Sequence, residues 1–135
     1  MKIGYLFDTN AAIALHRQAA ELNAIIDDAV RLGEEISFSV ITKSEFIAGL
    51  PLNTKLEDVP FLMGEFINVN SHIAVKAGRI RREQKDLHGR KLKTPDALIL
   101  ATAIEYNLVL VTSDRDLQFA KKDYGVQVID FSDGA

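Results

Sequence analysis

Cysteine is absent from this chain, so disulfides, thiolate zinc sites and a cysteine nucleophile are excluded, and the composition suits a reducing compartment. Long apolar runs are absent too. Nothing approaches the roughly 18 residues of a membrane-spanning helix. The opening segment reaches Asp8 after five uncharged residues, Ile3 to Phe7, too few for the apolar region of a signal peptide. A soluble, cytoplasmic protein with no membrane partner is expected. No G-x-S-x-G elbow, Walker loop or dinucleotide fingerprint occurs, which leaves acyl transfer, P-loop nucleotide hydrolysis and Rossmann redox chemistry without support. The three histidines, His16, His72 and His88, keep no metal-ligand spacing. His88 reads as a cation near a helix C-terminus, the others as surface or boundary residues.

What is present suffices for one core. At 135 residues and 47% apolar composition, residues 1–135 read as a single domain that buries most of its unfolded surface. Net charge is −3, but it is unevenly spread: from Lys76 to Lys93 eight basic residues face only Glu83 and Asp86, giving +6 there and −9 elsewhere. Alone, such a stripe reads as a solvated helix face with internal ion pairs. On an otherwise acidic chain it is also the footprint of a polyanion site.

Ile3 to Phe7 is an apolar run ending in Asp8, as in a strand buried on both faces. Leu22, Ile25, Ile26, Ala29 and Val30 keep the spacing of one helix face, with Gly33 as the stop. Ile36 to Ile41 reads as a second strand, followed by a short helix that Thr42 and Glu45 cap as a box and Gly49 and Pro51 close. Phe66 to Val69 is a weaker strand. From Ser71 a long helix sets Ile73, Ala77, Ile80, Gln84 and Leu87 on one side and ends at His88-Gly89. Thr94-Pro95 begins an almost wholly apolar, hence internal, helix over Ala97 to Ile104. Leu108 to Val111 and Val126 to Ile129 are the last strands. Residues 51–65 keep no clean period; Thr54 and Glu57 have the spacing to cap a short helix that Pro60 ends or bends. Strands alternating with helices imply a mainly parallel sheet in one α/β/α domain.

Four strings place an acid where an apolar strand gives way to a helix: Phe7-Asp8-Thr9-Asn10, Thr42-Lys43-Ser44-Glu45, Thr94-Pro95-Asp96 and Thr112-Ser113-Asp114-Arg115-Asp116. Each acid alone is explained as a cap or as negative charge at a helix N-terminus. Together they say more, because the carboxyl ends of parallel strands share one edge, where ligands bind. Acids meeting there repel unless a cation separates them, and hard ions such as Mg²⁺ or Mn²⁺ take carboxylate oxygens. Phosphodiester hydrolysis is the chemistry such a site suggests.

These strings, with Ala77-Gly78-Arg79-Ile80-Arg81, Pro95-Asp96-Ala97-Leu98-Ile99-Leu100-Ala101-Thr102-Ala103 and Leu110-Val111-Thr112-Ser113-Asp114-Arg115-Asp116, resemble a PIN-domain ribonuclease from end to end. The chain is most similar to the small VapC-type toxins of prokaryotic toxin–antitoxin pairs. The resemblance implies a single PIN-like α/β/α domain and a metal-dependent endoribonuclease using Mg²⁺ or Mn²⁺. By that likeness Asp8, Glu45, Asp96 and Asp114 are the catalytic acids and metal ligands, with Asp116 as a fifth candidate. Leu117 stands where the family often has a Phe, with Phe119 nearby, and whether Asp114 or Asp116 is the closer ligand is open. Thr9, Thr112 and Ser113 would orient carboxylates or water through their hydroxyls. Arg79, Arg81, Arg82, Lys85, Arg90, Lys91 and Lys93 would hold flanking RNA phosphates, contacts that carry no sequence information.

The resemblance further implies a homodimer and an antitoxin partner. Leu50, Leu52, Leu56, Val59, Phe61, Leu62 and Met63 concentrate apolar groups in a segment without core periodicity, suited to an interface or groove. Rival readings fit less well. An aspartate-nucleophile phosphatase wants a second Asp where Asn10 stands, and a phosphoacceptor receiver wants a Lys where Asp130 stands. A housekeeping RNA-processing nuclease of the same family, or a catalytically silent scaffold that binds RNA or a partner, is the alternative.

Overall fold

Successive residues of a strand face opposite sides of a sheet, and the first strand already sorts the core into two layers. In the computed structural model, which describes residues 3–131, β1 spans Gly4–Phe7. Met1, Lys2 and the last four residues of the expected domain lie outside the described residues. The chain continues through α1 (Thr9–His16), α2 (Ala20–Leu32), β2 (Glu35–Phe38), α3 (Val40–Ala48), two 3-10 turns (Leu56–Asp58, Pro60–Met63), α4 (Ser71–His88) and α5 (Thr94–Glu105). It ends with β3 (Val109–Thr112), a third 3-10 turn (Arg115–Leu117), α6 (Ala120–Tyr124) and β4 (Val128–Asp130).

All four strands pair in parallel, in the order β2-β1-β3-β4. Leu6 and Leu110 face a cluster built from Ile73, Ala77 and Ile80 of α4 and Ala97, Leu100 and Ala101 of α5. Phe7 and Val111 face the other way, onto Ala11, Ala14 and Leu22 of α1 and α2. The result is the α/β/α layering that the sequence implied, with α5 nearly engulfed as its apolar run requires. The register Phe7↔Val111 sets the ends of β1 and β3 side by side.

Several local expectations shift. The second strand stops at Phe38 because Ser39 caps α3, its hydroxyl accepting from the Ile41 N–H at 3.0 Å; an oxygen that satisfies a free helical N–H wins over the β-branched residues that follow. Thr42 therefore caps nothing and lies wholly buried inside α3. Phe66 to Val69 is reduced to one parallel bridge, Ser39↔Ile67, closed by Ile67 N–H to Phe38 O at 2.8 Å and Val40 N–H to Ile67 O at 3.0 Å. In the 51–65 stretch Lys55, not Thr54, precedes the first turn, and Pro60 opens the second turn instead of ending a helix. The apolar segment there divides: Val59 and Leu62 pack with Ala12 and Phe46 in a third cluster, whereas Leu52, Leu56 and Met63 are exposed.

Two residues assigned inward-facing places lie outside. Val30 is 75% exposed, because it lies about 100° around the helix from Ala29, which with Leu22 sets the buried face. Leu87 is 73% exposed: the chain reverses at Gly89, a left-handed position, and the Arg90 N–H returns to Gln84 O at 2.9 Å, covering Gln84 and not Leu87.

Candidate active site

The cleft at the carboxyl edge of the sheet has a volume of about 200 Å³ and is lined by Asp8, Glu45, Asp96 and Asp114, together with Thr9, Asn10, Lys93, Pro95 and Ile99. Only two of the acids arrive from strand ends. Asp8 follows β1 and caps α1, its Oδ1 accepting from the Ala11 N–H at 2.8 Å. Asp114 follows β3 and caps the third 3-10 turn, accepting from the Asp116 N–H at 2.8 Å. Glu45, by contrast, lies inside α3, and Asp96 sits in the first turn of α5, which is reached from α4 through residues 89–93 with no strand before it. The strand-to-helix reading is thus corrected for Thr94-Pro95-Asp96; for Thr42-Lys43-Ser44-Glu45 a strand does give way to a helix, but at Ser39, which leaves Glu45 in mid-helix, and all four acids still face one cleft.

The hydroxyls cross-brace the acids. Thr112, fully buried, pulls the Asp8 carboxyl toward its charged form, and its Oγ1 accepts from the Asp114 N–H at 2.9 Å. Thr9 Oγ1 donates to Glu45 Oε1 at 2.5 Å and lies 3.3 Å from the Thr42 hydroxyl. Thr42 therefore joins Thr9 and Thr112 among the hydroxyls around the acids, although its Thr-x-x-Glu spacing predicts a cap. Ser113 is half-buried and has no side-chain hydrogen bond among the described residues.

The electrostatics are those of a crowded, partly dry acid cluster. Asp8 is only 4% exposed, and burial, reinforced by the charges of Asp114 and Asp96, pushes its pKa up to about 6 against the pull of Thr112 and the Ala11 N–H. Asp96 is likewise raised to about 6, by burial first and then by Asp114 and Glu45, while the Lys93 ammonium pulls it down. Asp116 also repels Asp96, but its residue lines a neighbouring groove with Arg115, Gln118 and Lys122. Between the two, Asp114 lies in the acid cleft.

Among the described residues no three acidic or histidine side chains already close around one point. The donor set nonetheless fits a hard divalent cation: all-oxygen, over-charged and partly desolvated, with room for the waters that Mg²⁺ retains when one or two carboxylates hold it.

The basic stripe is not one surface. Arg81, Arg82, Lys85, Arg90 and Lys91 line a groove of about 700 Å³ beside Gly78 and Gly89, whereas Arg79 lies outside that lining and Lys93 belongs to the acid cleft. Two of these cations already have internal partners. Arg81 Nε donates to Leu92 O at 3.0 Å; Arg90 donates to Gln84 Oε1 at 2.9 Å and to Asp123 Oδ2 at 3.2 Å. His88 lies 3.6 Å from the same carboxylate and His72 pairs with Glu105 at 2.9 Å.

A four-stranded parallel sheet with acids gathered at its carboxyl edge is the frame the resemblance implied, and a PIN-domain family model matches residues 5–123. The chain belongs to the PIN-domain family. Its structural neighbours are of the VapC-type toxin–antitoxin kind. It is similar to a toxin–antitoxin complex from Klebsiella pneumoniae, at 28% identity over 93% of this chain and 95% of that one, with a TM-score of 0.68. It is similar to FitAcB from Neisseria gonorrhoeae, at 26% identity over 93% and 96% of the two chains, with a TM-score of 0.70. VapBC2 from Rickettsia felis, bound to a promoter DNA fragment, shares the fold at 19% identity over 96% and 100%, with a TM-score of 0.75. A search among curated proteins gave no match. No helix among the described residues is long and apolar enough to cross a membrane.

Proposed function

We propose that this PIN domain is a divalent-metal-dependent endoribonuclease and the toxin of a type II toxin–antitoxin pair. The observation that carries the nuclease reading is the convergence of Asp8, Glu45, Asp96 and Asp114 on one cleft, with burial and mutual repulsion raising two of them. A bound Mg²⁺ or Mn²⁺ would supply the missing positive charge, activate water and screen the phosphate. Asp8, Asp96 and Asp114 are assigned to hold that ion, with Glu45 beside them and Asp116 as an outer acid. Thr9, Thr42 and Thr112 fix carboxylate orientation, the role that keeps ligands preorganised, and Ser113 offers a further hydroxyl. Arg82, Lys85 and Lys91, with the free N–H groups of Arg81 and Arg90, take flanking phosphates, and Arg79 extends the positive field.

Purified chain incubated with single-stranded RNA and Mn²⁺ or Mg²⁺ should cleave internally, stop in EDTA, and fall to background in Asp96→Asn with the fold intact. Full cleavage by Asp96→Asn, once contaminating nuclease is excluded, overturns the site assignment. Retained RNA binding without any cleavage by the natural chain would favour the silent-scaffold reading.

The toxin assignment rests on the likeness to the Klebsiella pneumoniae complex and predicts a cytoplasmic homodimer restrained by a neighbour-encoded antitoxin. Exposed Leu52, Leu56 and Met63 offer apolar surface for either contact. Light scattering across concentration and co-purification with the adjacent gene product test it; a monomer that binds no such partner refutes the toxin reading and leaves the nuclease reading standing.

A further inference from the structure

The geometry points to Lys93 as a catalytic residue whose ammonium contacts a non-bridging oxygen of the scissile phosphate, so that the chain itself supplies part of the positive charge in the acid cleft. This rests on the nuclease reading above and deepens it. Lys93 is the only cation among the described residues lining that cleft; the other cations of its segment line the grooves beside it. Its backbone caps α5 three residues before Asp96, which fixes the root of the side chain relative to the acids. Its charge is felt by Asp96, yet no salt bridge within 4.0 Å ties it to any carboxylate among the described residues. An ammonium near the acids but committed to none is placed for a ligand that brings its own anionic oxygens.

The segment carrying it is built rigidly. Residues 89–93 leave α4 through the left-handed Gly89, and the Arg90 side chain is tied to the buried Gln84 and to Asp123. Leu92 is buried, and its carbonyl accepts from Arg81 Nε at 3.0 Å. These contacts spend polar groups of a basic stripe on immobilising a short strap, and Lys93 is where the strap enters the cleft. Gln84, Arg90 and Arg81 thereby hold the strap from which Lys93 projects.

In the hydrolytic step the water oxygen forms a P–O bond, the P–O bond to one sugar oxygen breaks, and that oxygen gains a proton as the attacking water loses one. Lys93 keeps its protons throughout; it lowers the barrier by holding charge where the phosphate oxygens become more negative.

Lys93→Met and Lys93→Arg, in the full chain, test this by Mn²⁺ titration and by single-turnover cleavage at saturating RNA. Lys93→Met should bind Mn²⁺ several-fold more tightly, because a competing cation has left the acid cluster. It should nevertheless cleave about 100-fold more slowly, the scale of losing one preorganised donor, and Lys93→Arg should recover most of the rate. Unchanged Mn²⁺ affinity overturns the placement among the acids, and tighter Mn²⁺ with an unchanged rate overturns the substrate contact. A rate loss that vanishes at saturating RNA also overturns it, by returning Lys93 to a flanking-phosphate role. Failure of the natural chain to bind Mn²⁺ or to cleave is a separate result, which removes the nuclease reading and this role with it.

Discussion

Two acidic regions have been given opposite surroundings, one around Asp123 and one around Asp8 and Asp96. Asp123, on α6, receives a hydrogen bond from Gln84 and the nearby charges of His88 and Arg90, and its carboxyl is held below the ordinary range. Asp8 and Asp96, in the cleft, are surrounded by burial and by other carboxylates, and are pushed up to about 6. The first arrangement is satisfied within the chain: Gln84 donates to Asp123 and Tyr124 and accepts from Arg90, and Tyr124 donates to Glu83 at 2.8 Å. The second keeps like charges together and leaves them under-neutralised. Nothing in folding requires that repulsion, and it is understandable as readiness for a cation, since groups strained toward protonation gain most when a metal arrives. On the proposed reading, the cluster that completes itself serves the fold and the one that does not is left for a cation.

The satisfied cluster should be costly to break. Gln84→Ala removes a fully packed side chain, 1% exposed, and strips Arg90 and Asp123 of their bridge, a loss of about 2–4 kcal/mol. Chemical denaturation checks the figure, and a variant as stable as the parent would show that the network is ornamental.

The unsatisfied cluster should respond in the opposite sense. Asp8→Asn keeps an oxygen to cap α1 and removes a buried charge, so the metal-free protein should gain about 1–3 kcal/mol at pH 7.5, against an upper value of roughly 3 kcal/mol for a carboxyl pushed up to about 6. The pH dependence follows from the sign of that shift. A carboxyl whose folded pKa exceeds its unfolded value binds more protons in the native state between about pH 4 and 6. The metal-free parent therefore loses stability as pH rises through that window, and Asp8→Asn should flatten the profile. Thermal melts in EDTA from pH 4 to 8 decide it; parallel profiles would mean the cleft is not strained.

Metal affinity follows the same protons. Mn²⁺ must displace whatever Asp8 and Asp96 hold, so affinity should be level above pH 7 and fall below pH 6 by roughly tenfold per pH unit for each proton displaced. Calorimetric titration in two buffers of different ionisation enthalpy counts those protons directly. Zero proton release at pH 5.5 would place the ion elsewhere.

Much of this contrast was written locally. Asp8 and Asp114 are readable because each stands within two residues of the end of an apolar strand, and parallel strands must end on one edge. Asp96 was identifiable from its string but not from its route: it arrives on a helix reached by a strap whose course depends on Gln84, Arg90 and Asp123, residues 33 or more positions apart in part. The same long-range contacts divide the basic stripe, since no periodicity reveals that Arg81 and Arg90 are partly engaged internally while Lys93 lines the acid cleft. Thr42 has the spacing of a cap, but Ser39, three residues earlier, takes the cap and releases Thr42 to the interior. The 51–65 segment hid its buried half, Val59 and Leu62, because 3-10 turns follow neither helical nor strand periodicity.

The weakest consequence falls on the outer rim, where charge is neither satisfied within the chain nor part of the acid cleft. Arg82 and Lys85 line the basic groove and make no side-chain hydrogen bond or salt bridge among the described residues, so their charge is available to phosphate in a way that Arg90 is not. Replacing both by Gln should weaken RNA binding only modestly and should reduce the slope of log affinity against log salt by about 1.4, from roughly 0.7 released counterion per single-strand phosphate contact. Arg81 is best left in place, since its bond to Leu92 O also secures the strap, and its loss would mix two effects. Mn²⁺ affinity and the melting temperature should not move, because neither residue touches the acid cleft or the Gln84 network. Fluorescence anisotropy with one RNA in EDTA, from about 50 to 200 mM salt, is sufficient. A slope identical to that of the parent would return this face to an ordinary solvated helix surface and confine the RNA contacts to the strap and the cleft.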